Sequence, residues 1–227
     1  MKKKYIIGNW KSNKTSAEVE EWFIQSKDVY EREKNSITDD IRIILCPSFI
    51  HLKEAHELSR KYNLPIRLGA QDISPFGAGA YTGEIAASQI ADLVEYVIIG
   101  HSERRTFLGE NETLLTQKTE QVLKAKLIPI YCIQDEKTPI PEGIAMVAYE
   151  PVFAIGTGQA ETPAKANEIA QKVRQKRKVD TFIYGGSVNP DNIESFLTLG
   201  EIDGVLPGGA SLTPALFWEM IRNASRT

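Results

Sequence analysis

Short apolar runs recur along the chain, and each ends at or beside glycine, asparagine, proline or cysteine. Eight of these runs predict β-strands, at residues 5–8, 41–46, 66–71, 96–100, 128–132, 145–149, 181–185 and 204–206. Apart from an arginine in each of the second and third runs (Arg42 and Arg67), the interiors of the runs are continuously apolar rather than alternating with polar positions. That pattern is typical of a parallel sheet that is covered on both faces.

Most of the predicted strands are separated by segments with helical periodicity. These segments predict helices at residues 16–32, 48–62, 84–93, 112–126, 163–177, 190–199 and 214–223, and several begin with proline or serine, as helix starts do. Strands alternating with helices favour a single α/β domain over residues 1–227, built as a (β/α)₈ barrel. A doubly wound sheet is the alternative fold.

The connection between the fifth and sixth predicted strands breaks this rhythm. Only 12 residues separate Cys132 from Ala145, and they include Pro139 and Pro141. A chain of that length can just cross back over the sheet, but it cannot hold a regular helix with two internal prolines. We therefore expect a shortened connection that is poor in helix.

Composition and charge narrow the class of partner. The 27 lysines and arginines nearly balance the 30 acidic residues, for a formal charge of −3, so a nucleic-acid partner is not expected, whereas a small bound anion is. Apolar runs are too short for a membrane span or a signal peptide. Cys46 and Cys132 have no metal-ligand or disulfide spacing, which indicates buried thiols in a reducing, cytoplasmic environment.

Residues with useful chemistry follow three of the predicted strands. Asn9 and Lys11 follow the first strand, His101 and Glu103 the fourth, and Glu150 the sixth. In a parallel barrel, the carboxyl ends of the strands meet at one mouth. We therefore expect a cation, an imidazole and a carboxylate in one site.

Glycine-rich turns follow the last three predicted strands. The turns 185–187 (GGS) and 208–211 (GGAS) each precede a helical segment, where unpaired backbone N–H groups favour an anion such as phosphate. Gly156 and Gly158 resemble the start of a dinucleotide-binding turn, but the third glycine of that motif is replaced by Glu161. These glycines suit a mobile lid better.

Eight stretches together resemble the triosephosphate isomerase family, in that family's order and from end to end of the chain. They lie at 8–11 (GNWK), 70–72 (AQD), 79–84 (GAYTGE), 100–105 (GHSERR), 148–152 (AYEPV), 154–158 (AIGTG), 184–190 (YGGSVNP) and 208–212 (GGASL). The combination is far more specific than any single motif.

The resemblance implies a reaction and a role for each catalytic residue. The reaction interconverts dihydroxyacetone phosphate and D-glyceraldehyde 3-phosphate through an enediolate, in glycolysis and gluconeogenesis, without metal or organic cofactor. Glu150 would be the base and His101 a neutral electrophile, as is established for that family. Asn9 and Lys11 would bind substrate, and Glu103 would support the site.

The resemblance also implies a lid, a phosphate site and a partner. The lid would span residues 151–161, and a loop at residues 71–84 would dock Thr82 beside the catalytic lysine and histidine of a second copy, forming a homodimer. Backbone groups at four positions would hold the phosphate: Gly156, Ser187, Gly208 and Gly209.

Two other functions stay open on the sequence. One is a phosphosugar barrel enzyme of different reaction, such as an aldolase, which a Schiff-base lysine at a strand end would favour. The other is a phosphosugar-binding barrel with lost or altered activity. The reason to keep this second alternative is Pro207, which departs from the family pattern. The family has an aliphatic residue at this position, just before Gly208.

Overall fold

The computed structural model describes residues 2–151 and 160–227. Each strand pairs in parallel with the next, and the last pairs with the first, so the sheet closes into a barrel. The prediction of a (β/α)₈ barrel is confirmed, and the doubly wound alternative is wrong. The strands are β1 (Lys4–Asn9), β2 (Ile41–Cys46), β3 (Ile66–Ala70), β4 (Tyr96–Ile99), β5 (Ile128–Ile133), β6 (Met146–Tyr149), β7 (Thr181–Tyr184) and β8 (Gly204–Val205).

Eight α-helices surround the barrel in the part of the chain that the structure describes. They are α1 (Ser16–Glu33), α2 (Leu52–Lys61), α3 (Ala87–Ile90), α4 (Ser102–Phe107), α5 (Glu112–Lys124), α6 (Pro163–Lys176), α7 (Ile193–Leu197) and α8 (Pro214–Ala224). Both α4 and α5 lie between β4 and β5. None of these helices is long and apolar enough to cross a membrane.

The starts of the long helices follow from side chains that satisfy unpaired backbone N–H groups. Thr15 and Glu18 form a capping box at α1, and the Asn111 side chain accepts the Leu114 N–H at the start of α5 at 3.0 Å. Such caps stabilise a helix by about 0.5–2 kcal/mol each. The sequence therefore fixes these boundaries locally.

The apolar runs are buried on both faces, as predicted. One set of strand side chains fills the barrel interior, including Ile7, Ile44, Ile98, Ile130 and Ile183. The alternate positions belong to a second apolar cluster with side chains of the surrounding helices. Because successive side chains of a strand point to opposite faces, a single strand contributes to both layers.

The β5–β6 connection contains no helix, as predicted. Ile140 and Ile144 are buried there and belong to the outer apolar cluster. The Arg177 guanidinium, from the residue after α6, donates a hydrogen bond to the Ile140 carbonyl. A second hydrogen bond runs from Lys176 Nζ to the Glu136 carbonyl at 3.3 Å. The two isoleucines and these tertiary hydrogen bonds stabilise the connection.

Several predicted helices differ in extent from the observed ones. The segment 84–93 contains only the single turn of α3, the segment 48–62 begins with a 3₁₀ turn at Phe49–His51, and α7 covers only five residues of 190–199. Hydrophobic periodicity predicts longer helices here, because it carries no information on where the chain bends. Helix α4 was not among the predicted segments.

Strand β8 is one residue shorter than predicted, and Pro207 gives the reason. The Pro207 carbonyl accepts the Asn9 N–H at 2.9 Å, so the chain still runs beside β1 at this point. In a parallel ladder, the N–H of the same residue would donate to β1 as well. Proline has no N–H, and the ladder ends at Val205.

Candidate active site

The five candidate side chains lie at one end of the barrel, as predicted. Asn9 ends β1, His101 caps the helix after β4, and Glu150 follows β6 directly. The Lys11 ammonium forms an ion pair with Glu103. His101 Nε2 lies 3.1 Å from Glu150 Oε1. A pocket of about 270 Å³ opens onto this group, lined by four of the five side chains and not by Glu150.

Lys11 has a left-handed backbone conformation, with φ of 53°. Its N–H donates to Asn9 Oδ1 at 3.0 Å, and its carbonyl accepts from Gln71 Nε2 at 2.9 Å. The same Gln71 amide also donates to the Cys46 carbonyl at 2.9 Å. A non-glycine residue keeps such a conformation only where its surroundings impose it, so Asn9 and Gln71 together fix the position of Lys11.

His101 is oriented by the first turn of α4. Its Nδ1 accepts the Glu103 backbone N–H at 3.3 Å. An imidazole nitrogen that accepts a hydrogen bond carries no proton, so in the neutral ring the proton is on Nε2. His101 therefore presents an N–H donor towards Glu150.

Glu150 is almost completely buried, with 1% of its side chain exposed. Its Oε2 accepts the Ser102 backbone N–H at 2.8 Å. Its Oε1 makes no hydrogen bond among the described residues, although His101 Nε2 lies 3.1 Å away. Gly185 makes room for this side chain, since a Cβ there would lie 2.9 Å from Glu150 Cγ. Within the described part of the chain, carboxylate oxygens of Glu33, Glu110 and Asp203 are also buried without a hydrogen-bond partner. What distinguishes Glu150 is the imidazole of His101 beside its Oε1.

Cys132 and Cys46 are both buried and unpaired, as predicted. Burial raises the pKa of the Cys132 thiol well above its usual value, and the nearby carboxylate of Glu150 raises it further. Burial alone raises the pKa of Cys46. Both thiols therefore stay protonated at neutral pH and are poor nucleophiles.

The two glycine turns follow neighbouring strands, and the second turn adjoins Lys11. Their strands β7 and β8 are paired neighbours, with Tyr184 opposite Val205, and β8 in turn pairs with β1. A Cβ on Gly208 would lie 3.4 Å from Lys11 Cε. Gly208, one of the predicted phosphate contacts, therefore adjoins the Lys11 side chain.

Most of the predicted lid lies outside the described residues, and Gly156 lies there too. At the described end of this segment, the Glu161 N–H donates to the Tyr184 hydroxyl at 2.7 Å. Tyr184 in turn stacks on Phe196, with ring centroids 4.1 Å apart. The last residues of the predicted lid are thus attached to β7.

Exposed aromatic side chains lie on the loop 71–84 and beside the pocket. Phe76 and Tyr81 are 43% and 46% exposed and stack with their ring centroids 4.3 Å apart. Phe107 and Leu108 are 77% and 62% exposed and line the pocket on its Glu103 side. The site therefore opens beside an apolar surface.

Three contacts at this site were not predicted from the sequence: the Gln71 bonds to Lys11, the Ser102 N–H on Glu150, and the Tyr184 hydroxyl on Glu161. Gln71 and Tyr184 lie within stretches that carry the family resemblance, which was the only signal available for them. The Ser102 contact is made by a backbone N–H, and residue type carries no signal for it.

Comparison with known proteins places the chain in a family. The family model of triosephosphate isomerase matches residues 4–144 and 142–224, in two segments that meet at the end of the β5–β6 connection. The triosephosphate isomerases of Dictyoglomus turgidum and of Mesomycoplasma hyopneumoniae strain 7448 are each 38% identical, over 98% of this chain and 100% of theirs. That of Endomicrobium trichonymphae is 34% identical, over 98% of this chain and 99% of its own. The chain belongs to the triosephosphate isomerase family.

Proposed function

We propose that this protein interconverts dihydroxyacetone phosphate and D-glyceraldehyde 3-phosphate, with Glu150 as base and His101 as electrophile. The observation that carries the proposal is the 3.1 Å approach of His101 Nε2 to Oε1 of the buried Glu150, an oxygen that makes no hydrogen bond among the described residues. Removing a proton from carbon next to a carbonyl requires a positioned base and a donor to the oxygen that gains charge.

The reaction uses these two groups in turn. Glu150 removes a proton from the carbon that bears the hydroxyl group, and Nε2–H of His101 donates to the carbonyl oxygen as it becomes an enediolate oxygen. The former carbonyl oxygen takes the Nε2 proton of His101, and the imidazole recovers a proton from the neighbouring hydroxyl group. The carboxylic acid of Glu150 then gives its proton to the former carbonyl carbon, which exchanges the ketone for an aldehyde. In this structure Glu150 accepts the Ser102 N–H and does not line the pocket, so in this proposal its side chain turns to reach a substrate bound there.

Lys11, Asn9 and Glu103 support substrate binding in this proposal. The Lys11 ammonium supplies positive charge for a phosphorylated substrate in a protein without a general excess of basic residues. Glu103 holds the ammonium in place, and Asn9 holds the Lys11 backbone. Because that backbone conformation is set before substrate arrives, binding requires less ordering of the lysine.

Backbone N–H groups at Gly156, Ser187, Gly208 and Gly209 are proposed to hold the phosphate. The position of Gly208 next to Lys11 supports this proposal. We propose that the lid 151–161 closes over the bound substrate and excludes water, which would otherwise promote loss of phosphate from the enediol, as is established for this family. Localisation in the cytoplasm stays a prediction, supported by the two unpaired cysteines.

A coupled assay of isomerisation in both directions tests the proposed function. Turnover of D-glyceraldehyde 3-phosphate without a second carbonyl compound supports the isomerase, and binding without turnover supports the phosphosugar-binding alternative. An aldolase that uses a lysine Schiff base is disfavoured, because strands β4 to β7 contain no lysine.

Replacing Pro207 with valine is expected to change KM more than kcat. Pro207 is buried, and its carbonyl binds the Asn9 N–H, so it shapes the approach to Gly208 and Gly209. Phosphate contacts are shared by the bound substrate and the transition state, and losing them affects KM. We expect a change of about 2- to 10-fold, the size of one hydrogen bond.

Steady-state kinetics at saturating and limiting substrate measure this effect. An unchanged KM with a large change in kcat would place Pro207 in lid closure or in the chemical step. If neither KM nor kcat changed, Pro207 would have no effect on substrate binding or turnover.

We further propose a homodimer in which the loop 71–84 of each copy, with Thr82, docks beside the pocket of the other. Support comes from the stacked, exposed Phe76 and Tyr81 on that loop and from the exposed Phe107 that lines the pocket. Exposed apolar surface of this kind marks an interaction site, and a two-fold axis would let each loop meet the other copy's pocket.

The Phe107→Glu variant is expected to sediment as a monomer of the 25.3 kDa chain and to lose activity, because a charge in an apolar contact weakens association by about 2 kcal/mol or more. The matched control is Leu216→Glu, an equally drastic change at a 40% exposed position on α8. A wild-type monomer with full activity at micromolar concentration would contradict the dimer.

A further inference from the structure

Two buried tryptophans donate hydrogen bonds to one backbone carbonyl. Nε1 of Trp10 and Nε1 of Trp22 each lie 3.1 Å from the Ser211 oxygen. Their rings meet edge to face, with centroids 5.1 Å apart. A carbonyl oxygen has two lone pairs, so the two indoles together saturate it.

Ser211 in turn fixes the start of its own turn. Its backbone N–H and its hydroxyl both donate to the Gly208 carbonyl, at 2.9 Å and 2.7 Å. In a planar trans peptide, the carbonyl and the following N–H point in opposite directions. Holding the Gly208 carbonyl towards Ser211 therefore directs the Gly209 N–H away from Ser211. The orientation of that N–H depends on where Ser211 is held.

The two indoles come from different parts of the β1–α1 region. Trp10 immediately precedes Lys11 in the chain, whereas Trp22 lies within α1. A second link runs in parallel, because Lys14 Nζ lies 5.1 Å from the Trp10 ring centroid and donates to the Leu212 carbonyl at 3.0 Å. The segment that carries Lys11 and the turn 208–211 are therefore tied together as one unit.

We propose that Trp22 is a positioning residue for phosphate binding, acting through the Ser211 carbonyl. Its N–H keeps the turn 208–211 in the orientation in which the Gly209 N–H and the Lys11 ammonium serve one phosphate group. The inference rests on the phosphate site of the proposed function. Trp22 contacts neither substrate nor the reacting groups.

Comparing Trp22→Phe with Trp218→Phe tests this role. Phenylalanine keeps an aromatic ring but removes the N–H. Trp218 is the matched control, since it is equally buried and its Nε1 has no hydrogen-bond partner among the described residues. For Trp22→Phe we expect KM and the inhibition constant of inorganic phosphate to rise together by about 3- to 10-fold, the effect of one hydrogen bond. Its kcat should stay within about twofold of wild type, and Trp218→Phe should change none of these constants.

Two outcomes of this comparison overturn the inference. If KM and the phosphate inhibition constant of Trp22→Phe equal those of wild type, its N–H positions nothing. If Trp218→Phe raises both constants equally, the effect is one of general packing. Failure of the proposed phosphate site gives a different result from these two outcomes, because inorganic phosphate would then not inhibit the wild-type enzyme. The inference about Trp22 would be wrong in that case as well.

A measurement on Trp218→Phe keeps the inference testable if Trp22→Phe does not fold. In that control variant the only tryptophans are Trp10 and Trp22. Inorganic phosphate should produce a saturable change in their fluorescence, at the concentrations at which it inhibits. Inhibition by phosphate without any change in fluorescence would show that phosphate binding does not involve the indole contacts, and would overturn the inference.

Discussion

The Glu150→Gln variant is expected to lose about 10²- to 10⁴-fold in kcat while keeping its fold, because a positioned general base contributes roughly that much to rate. Glutamine has nearly the shape of glutamate, and its amide oxygen can still accept the Ser102 N–H. It cannot accept a proton from carbon. Steady-state kinetics together with thermal unfolding separate loss of the base from loss of structure.

The matched control is Glu136→Gln. Glu136 lies in the β5–β6 connection, and its carboxylate is 4.0 Å from Lys172, outside the pocket. The same chemical change there should leave kcat unaltered. If Glu150→Gln retained more than about half of wild-type kcat, Glu150 could not be the base.

The His101→Asn variant is expected to lower kcat by about 10²- to 10³-fold, the usual effect of removing a donor to an oxygen that gains charge. Asparagine can still accept the Glu103 N–H at the start of α4, as His101 Nδ1 does. The variant therefore removes the Nε2–H donor and keeps the helix cap. Its KM should change less than its kcat, because the lost hydrogen bond strengthens mainly in the transition state.

His101→Ala completes the comparison, since alanine removes both the donor and the cap. It should show a similar loss in kcat and an additional loss of stability of about 0.5–2 kcal/mol. If the asparagine variant kept full activity and only the alanine variant lost it, the contribution of His101 would be structural.

Much of the barrel could be predicted from the sequence, because its strands are defined by local features. Each strand is a mostly apolar run, and the missing helix after β5 followed from Pro139 and Pro141. The convergence of His101 and Glu150 followed from parallel topology, since both lie at carboxyl ends of strands. These features need no knowledge of contacts between distant residues.

The remaining details depend on such distant contacts. The left-handed Lys11 is imposed partly by Gln71, which is 60 positions away, and Glu150 is held by a backbone N–H 48 positions away. Two indoles converge on a carbonyl about 200 positions later in the chain. No local pattern carries this information, because each contact exists only after the barrel has closed.

The helix-free connection after β5 also affects the entropy of the unfolded chain. Ile130 pairs with Met146, 16 positions later, whereas Tyr96 pairs with Ile128, 32 positions later. Because the entropy lost on closing a loop grows with the logarithm of its length, halving the separation lowers the cost of bringing two strands together by about 0.6 kcal/mol. Strands β5 and β6, whose connection contains no helix, are thus brought together more often in the unfolded chain than β4 and β5.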